Sequence, residues 1–303
     1  MPNWEQVLDE IRNVPNPLDS TRKKYLKIMH EYTGRNVIAY YSAFIQKPHI
    51  EGTGIDDSDK NAFMQAACGL NRSKGLDLIL HTPGGNIAAT ESLVYYLKKL
   101  FGNDIRVFVP QIAMSAGTMI SLAAKTIVMG KQSNLGPIDP QYGGMSCAAV
   151  LEEFETALKD VKEDPSSVSV WSNIIRKYHP TFIGDCKKAI DWSEEIVKRW
   201  LKENMFRESQ DPEVNASRVV AYLSSHNNTY SHSRHIHIDS LKEIGVNVIE
   251  LENLDNNSIS ECNDLQDCVL TIHHAYMNVF AQTPAIKIVE NHTGSAMITS
   301  QTS

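Results

Sequence analysis

The chain has 303 residues, of which 42% are hydrophobic and 21% charged, and its net charge at pH 7 is −7. This composition is that of a globular protein with a sizeable core, and it excludes a wholly disordered chain. A general nucleic-acid-binding role has no electrostatic support, because acidic residues outnumber basic ones and no block of five Lys or Arg occurs.

The first residues and the cysteines indicate a compartment. The N-terminal stretch lacks the charged and apolar regions of a secretory signal, and no run of 18 apolar residues occurs that would span a membrane. The five cysteines are scattered and form no C-x-x-C pair, which favours free thiols over a disulfide framework or a zinc ribbon. We therefore expect a cytoplasmic protein without a transmembrane segment.

Hydrophobic patterns predict alternating strands and helices in the first half of the chain, after a charged, mostly helical stretch over residues 1–34. The predicted strands cover 37–44, 76–80, 105–109, 126–129 and 135–138. The predicted helices cover 19–32, 61–70, 88–101 and 115–124. Such alternation is typical of βαβ units and of a mainly parallel sheet or superhelix.

The second half of the chain is mostly helical in pattern. Helices are predicted over residues 148–162, 183–204, 219–224, 240–244 and 267–280. Strands are predicted over residues 246–251 and 286–289. No internal repeat or low-complexity segment is found.

Two glycine-containing turns follow two successive predicted strands, which is where sites gather in a parallel sheet. Pro83-Gly84-Gly85 follows the strand 76–80, and Met114-Ser115-Ala116-Gly117 follows the strand 105–109. A serine at the start of a helix could attack a carbonyl, and glycine N–H groups could stabilise the resulting oxyanion. Taken alone, an ordinary helix N-cap and an ordinary turn explain the same residues. The G-x-S-x-G, G-x-G-x-x-G and P-loop motifs are absent, so neither an α/β-hydrolase nor a nucleotide site is supported.

Three motifs in order carry a resemblance to a known family: His81-Thr82-Pro83-Gly84-Gly85-Asn86, Ala113-Met114-Ser115-Ala116-Gly117-Thr118 and Leu135-Gly136-Pro137-Ile138-Asp139-Pro140-Gln141. Over residues 76–142 the chain resembles the serine dehydrogenase proteinase family, which belongs with the signal-peptide-peptidase-like and Clp-protease-like serine peptidases. The resemblance implies a Clp/crotonase-type α/β fold with a repeated βαβ core. We expect an N-terminal helical extension over 1–34, a peptidase domain over 35–255 and a C-terminal helix-strand extension over 256–303.

The resemblance also implies an activity and residues that carry it. The chain would be a serine endopeptidase that acts on a polypeptide without a cofactor or a metal. Ser115 would be the nucleophile, and the N–H groups of Gly84, Gly85 and Ala116 would form the oxyanion hole. Lys188 would complete a Ser-Lys dyad as the general base. Members of this fold resemble one another in forming rings or trimer-based assemblies, so we expect a homo-oligomer.

The general base stays open between several lysines. Lys188 best fits the local context of the family's lysine, while Lys187, Lys159 and Lys125 are the substitutes. A solvent-exposed helix lysine is the simpler interpretation of Lys188. Asp139 falls near the place where Clp proteases carry their histidine, so we expect no Ser-His-Asp triad.

Three other interpretations remain. The protein could be a catalytically inactive Clp-fold scaffold that binds peptides or partner proteins. It could instead be a crotonase-type acyl-CoA enzyme, because that fold also uses paired backbone N–H groups as an oxyanion hole. His232, His235 and His237 lie within six residues and could bind zinc, although a polar edge strand with exposed histidines explains them more simply.

Overall fold

The computed structural model describes residues 17–254, 262 and 264–301 of the chain. Its helices are α1 (Pro17–Thr33), α2 (Asp57–Ala67), α3 (Ile87–Phe101), α4 (Ala116–Leu122), α5 (Cys147–Glu163), α6 (Val168–Ile175), α7 (Phe182–Glu203), α8 (Pro212–Leu223), α9 (His226–Thr229), α10 (Ile238–Glu243) and α11 (Leu265–Gln282). Its strands are β1 (Asn36–Ser42), β2 (Leu76–His81), β3 (Ile105–Val109), β4 (Ile112–Ala113), β5 (Thr126–Met129), β6 (Asn134–Leu135), β7 (Gln141–Tyr142), β8 (Met145–Ser146), β9 (Val248–Glu250), β10 (Ala285–Asn291) and β11 (Ala296–Ser300).

A seven-stranded sheet forms the centre of the fold, in the order β11-β10-β1-β2-β3-β5-β9. Five of these strands run parallel to one another, namely β1, β2, β3, β5 and β9. Strand β10 pairs antiparallel with β1, and β11 pairs antiparallel with β10. Helices connect the parallel strands, so the expected α/β class with βαβ units is confirmed.

The two faces of the sheet are covered by different helices, because side chains alternate in direction along each strand. On one face, Ile38 and Tyr40 of β1 pack in a buried cluster with α2, α3, α4, α7 and α8. On the other face, Val37, Ala39 and Tyr41 pack with α1 and α11. All residues of β1 and β2 are buried, as expected of parallel strands covered on both sides.

The segments at both ends of the described chain pack onto this sheet. Tyr25, Leu26 and Met29 of α1 are buried in one cluster with α11, and β10 lies directly beside β1. A buried ion pair joins the two segments, since Arg22 Nε donates to Glu290 Oε2 at 2.9 Å. The N-terminal helix and the C-terminal strand therefore stabilise the same sheet.

Most predicted elements lie where the hydrophobic pattern puts them. Strands β3 and β5 begin and end at the predicted residues, and α5 is one residue longer at each end. The strand predicted over 135–138 is reduced to β6, because Gly136 and Pro137 interrupt it. The pattern does not predict α6, which buries none of its residues, or the edge strand β11.

Candidate active site

Two turns lie side by side at the carboxyl ends of β2 and β3. We call residues 82–86 the glycine turn and residues 114–116 the serine turn. The N–H of Thr82 donates to the Ile112 carbonyl at 3.1 Å, and the N–H of Met114 donates to the Thr82 carbonyl at 3.0 Å. Because parallel strands end at the same edge of a sheet, these bonds bring the two predicted motifs together.

Ser115 has an unusual backbone conformation. It precedes α4 with φ at 50° and ψ at −114°, and it makes no side-chain capping hydrogen bond. Within residues 17–254, 262 and 264–301, only Ser115 and Tyr230 among the non-glycine residues have positive φ. Such strain persists where the surrounding structure imposes it, and it is often found at functional sites. Ser115 is therefore not an ordinary N-cap.

Both glycines of the glycine turn are required by close contacts. A Cβ on Gly84 would lie 2.7 Å from the Ser115 Cβ, and φ at Gly84 is 102°. A Cβ on Gly85 would lie 2.2 Å from the backbone nitrogen of Ile55. The absence of side chains thus lets the turn pack between the serine turn and the segment around Ile55.

The hydrogen bonds of the glycine turn decide which N–H groups face the serine. The N–H of Gly84 donates to Thr82 Oγ1 at 3.2 Å, so this predicted oxyanion donor already has an acceptor. The N–H of Ile55 donates to the Gly84 carbonyl at 2.7 Å, and in a trans peptide the N–H of Gly85 points the opposite way. No acceptor among the described residues hydrogen-bonds the N–H of Gly85 or that of Ala116, the first residue of α4.

A cleft of about 580 Å³ opens beside these turns. Ser115 lies in its wall together with the apolar side chains of Met119 and Ile138. The polar residues Lys188 and His232 also line it. A cleft of this size with a few converging polar groups is typical of a ligand site.

His232, which lines the cleft, is paired with a buried carboxylate. His232 Nδ1 lies 2.8 Å from Asp139 Oδ1, and Asp139 is only 1% exposed. The second carboxylate oxygen accepts a hydrogen bond from Ser146 Oγ at 3.1 Å. Two oriented donors thus fix the carboxylate, and the carboxylate fixes the imidazole ring. No hydrogen bond joins Ser115 to His232. The hydrogen bond between a nucleophile and its general base is often long in the absence of substrate.

The predicted lysines occupy different surroundings. Lys188 lies on α7, is exposed to solvent and lines the cleft one turn after Asp185. Lys159 forms an ion pair with Glu163 at 4.0 Å on α5, and Lys125 lines a separate surface pocket. Of the four lysines, only Lys188 contributes to the cleft wall.

The nearby cysteine is unsuited to nucleophilic chemistry. Cys147 is fully buried at the start of α5, close to Cys186 and Asp139. Burial, followed by these two neighbours, raises the pKa of the Cys147 thiol to about 12. The thiol therefore stays neutral at physiological pH, and the thiolate is the reactive form.

The remaining histidines of the predicted zinc cluster point elsewhere. His235 and His237 are exposed, and neither lines the cleft. In the part of the chain that the structure describes, no three His, Cys, Asp or Glu side chains come close enough to hold a metal ion. Of the three histidines, only His232 therefore belongs to the candidate active site.

Sequence reasoning missed the pairing of Asp139 with His232. The two residues are 93 positions apart, and no local pattern links them. A usable signal was present in the Gly136-Pro137-Ile138-Asp139 motif, where the family resemblance puts a carboxylate near the histidine position of Clp proteases. A carboxylate at that place invites a search for a histidine elsewhere in the chain.

Comparisons with known proteins identify two relatives and a family. The chain is 28% identical over 232 residues to the uncharacterized protein MJ1495 of Methanocaldococcus jannaschii. The aligned region covers 75% of this chain and 71% of that protein. It is also 30% identical over 195 residues to the uncharacterized protein MJ0137 of the same organism. That aligned region covers 64% of this chain and 59% of the relative. No helix of the described residues has the length and apolar character needed to cross a membrane. The family described as "ClpP-like SDH-type serine proteinase" matches residues 18–257, and the chain therefore belongs to that family.

Proposed function

We propose that this protein is a serine endopeptidase that hydrolyses peptide bonds of a polypeptide, with Ser115 as the nucleophile. The observation that carries the proposal is the meeting of three features in one cleft. These are the strained Ser115, the unpaired N–H groups of Gly85 and Ala116, and the pair of His232 with Asp139. Membership of a serine proteinase family supports the same class of reaction.

In the proposed mechanism, Ser115 Oγ adds to the substrate carbonyl carbon while His232 takes the hydroxyl proton. Asp139 accepts the hydrogen bond from Nδ1–H, which leaves the other ring nitrogen free to act as the base. The N–H groups of Gly85 and Ala116 stabilise the oxyanion. His232 then protonates the departing amine, and water hydrolyses the acyl-enzyme by the same route.

The alternative base is Lys188, the residue that the sequence favours in a Ser-Lys dyad. Its place in the cleft wall supports this role, because it could approach a substrate bound at Ser115. Its exposure counts against it, since a lysine acts as a base when burial or a nearby cation favours its neutral form. We therefore propose His232 as the base and retain Lys188 as the competitor.

The nucleophile is tested with the wild type, Ser115→Ala and the matched control Ser73→Ala. Each protein is incubated with casein, and the fragments are counted by mass spectrometry. A fluorophosphonate probe labels the reactive serine directly. We expect cleavage and labelling for the wild type and for the exposed Ser73 control, and neither for Ser115→Ala. Cleavage by Ser115→Ala at the wild-type rate would refute the assignment.

The base is tested with His232→Gln and Lys188→Met, with His235→Gln and Lys187→Met as matched exposed controls. We expect His232→Gln to reduce kcat by about 10³-fold, because proton transfer and the orientation of the nucleophile are lost together. Lys188→Met should retain kcat within about threefold. The opposite pattern would establish the Ser-Lys dyad.

We further propose that the protein acts as a homo-oligomer in the cytoplasm. None of the five cysteines forms a disulfide in the structure, which supports a reducing compartment, and the Clp-like family supports an assembly. Light scattering at micromolar concentration should give a multiple of the monomer mass. A monomer mass would remove the oligomer from the proposal.

A further inference from the structure

A buried lysine far along the chain contacts the structure behind the glycine turn. Lys287 of β10 is 3% exposed, and its ammonium lies 2.8 Å from Asp56 Oδ2 and 2.9 Å from Asp59 Oδ1. It also donates to the Gly54 carbonyl at 3.2 Å. These three acceptors fix the ammonium at the start of α2, directly after Ile55, the residue that hydrogen-bonds the glycine turn.

A series of contacts, which we call the first path, connects Lys287 to the carbonyl oxygen of Gly84. Lys287 holds Gly54 and Asp56, which flank Ile55 on both sides. The N–H of Ile55 donates to the Gly84 carbonyl at 2.7 Å, and the Ile55 carbonyl accepts from the N–H of Asn86 at 2.9 Å. The position of Ile55 therefore sets the plane of the Gly84–Gly85 peptide and the direction of the Gly85 N–H.

A second path leads to the amide end of Gly84. Asp59 Oδ2 accepts a hydrogen bond from the Tyr40 hydroxyl at 3.1 Å. The Tyr40 hydroxyl in turn interacts with the Thr82 side chain, and Thr82 Oγ1 accepts from the N–H of Gly84 at 3.2 Å. The Thr82 side chain therefore lies between the Gly84 amide and the tyrosine hydroxyl that donates to Asp59.

The charges explain why a lysine is needed at this position. Asp59 is 3% exposed, and burial raises the pKa of its carboxyl, whereas the ammonium of Lys287 acts in the opposite direction. A buried carboxylate without its cation would be strongly destabilising, because neither water nor an opposite charge would then stabilise it. Lys287 thus keeps Asp59 as the acceptor of the Tyr40 hydroxyl.

We propose that Lys287 is a positioning residue for the reaction at Ser115, because both paths from its ammonium end on Gly84 and fix the orientation of the glycine turn. This inference rests on the proposed peptidase function. Lys287 itself does not line the cleft and touches no reacting group. It acts through the N–H of Gly85, whose direction follows from the anchored peptide.

The test uses variants that interrupt either the second path alone or both paths. Tyr40→Phe removes only the hydroxyl between Asp59 and Thr82, and Lys287→Met removes the origin of both paths. Lys287→Met combined with Asp59→Asn avoids an unpaired buried carboxylate, so that this variant folds if Lys287→Met alone does not. The matched control is Tyr276→Phe, which removes a buried tyrosine hydroxyl that donates to Glu290 at 3.0 Å, outside both paths.

Two readouts are measured. Hydrogen exchange of the amides of residues 84–86, followed by mass spectrometry, reports the hold on the turn whether or not peptides are cleaved. We expect exchange about threefold to tenfold faster in Tyr40→Phe, faster still in the Lys287 variants, and unchanged in Tyr276→Phe. Peptide hydrolysis should show kcat reduced by a similar factor with KM within about twofold.

Unchanged exchange at 84–86 in both Tyr40→Phe and the Lys287 variants would overturn the proposal. An equal effect of Tyr276→Phe would overturn it as well, because the loss would then be general. If the wild type cleaves no peptide while the exchange pattern is as expected, the peptidase proposal fails and the hold of Lys287 on the turn stands.

Discussion

Replacing Asp139 by Asn tests the catalytic pair with the least disturbance of shape. The side chain is 1% exposed and held by His232 Nδ1 at 2.8 Å and by Ser146 Oγ at 3.1 Å, so an isosteric amide keeps the packing. The amide loses the negative charge that stabilises the imidazolium and no longer fixes the tautomer of His232. In a serine-histidine-aspartate triad this change lowers kcat about 10⁴-fold, and we expect a loss of 10³-fold to 10⁴-fold, roughly, here.

The assay is hydrolysis of a fluorogenic peptide derived from a casein cleavage site, measured for the wild type, Asp139→Asn and Asp239→Asn. Asp239 is an exposed carboxylate on α10 and serves as the matched control. We expect KM to stay within about twofold in both variants, because neither residue is needed for ground-state binding. Urea unfolding of the three proteins checks that any loss of rate is not a loss of fold.

A kcat for Asp139→Asn within tenfold of the wild type would refute the reasoning, provided that Ser115→Ala is inactive. Asp139 would then be a structural carboxylate, and the proton of Ser115 would go to another group. Loss of activity in Lys188→Met under the same conditions would identify that group as the lysine.

Three further predictions concern the turn and the core. Gly85→Ala should reduce kcat at least about 100-fold, because its Cβ would lie 2.2 Å from the Ile55 nitrogen and displace the N–H donor. Burial lowers the pKa of His81 to about 3. As the pH falls from about 6.5 towards 3, the His81 imidazole binds a proton only in the unfolded chain. The free energy of unfolding therefore falls by about 1.4 kcal/mol per pH unit. Between pH 7 and 4.5, the free energy of unfolding measured with urea should fall by about 3 kcal/mol less in His81→Phe than in the wild type. The exposed control His235→Gln should show no such difference. Glu290→Gln should lower the free energy of unfolding by about 3 kcal/mol, because it removes the buried charge that pairs with Arg22 Nε at 2.9 Å, while the pair of Arg22 with Asp19 remains, and an unchanged urea midpoint would contradict that account.

Local signals were sufficient for most of the sheet. Strands β3 and β5 are short, mostly apolar runs that begin after a charged residue and end before Pro110 and Gly130, and both were located to the residue. The pattern also located the two turns, since glycine, proline and serine there interrupt apolar runs at the ends of strands. Helix α6 was not predicted although its apolar residues recur at helical spacing, and none of its residues is buried.

Contacts between distant residues could not be derived in the same way. The pairing of β10 with β1 brings Lys287 to a turn more than 200 residues earlier, and neither segment carries a local sign of the other. The same holds for His232, which looked like one member of a polar histidine group. Its role depends on a carboxylate that only the tertiary structure brings near.

The assembly of the candidate site follows from one small sheet. Strand β4 pairs in parallel with β6, and Ile236 pairs antiparallel with Leu135 on the other side of β6. In an antiparallel pair, a step forward on one chain faces a step back on the other. Asp139 lies four residues after Leu135 and His232 four residues before Ile236, so this single bridge brings the carboxylate and the imidazole to the same end of the small sheet. Ser115 follows β4 by two residues on the parallel side. The pairing of three short segments therefore brings together Ser115, Asp139 and His232, which are far apart along the chain.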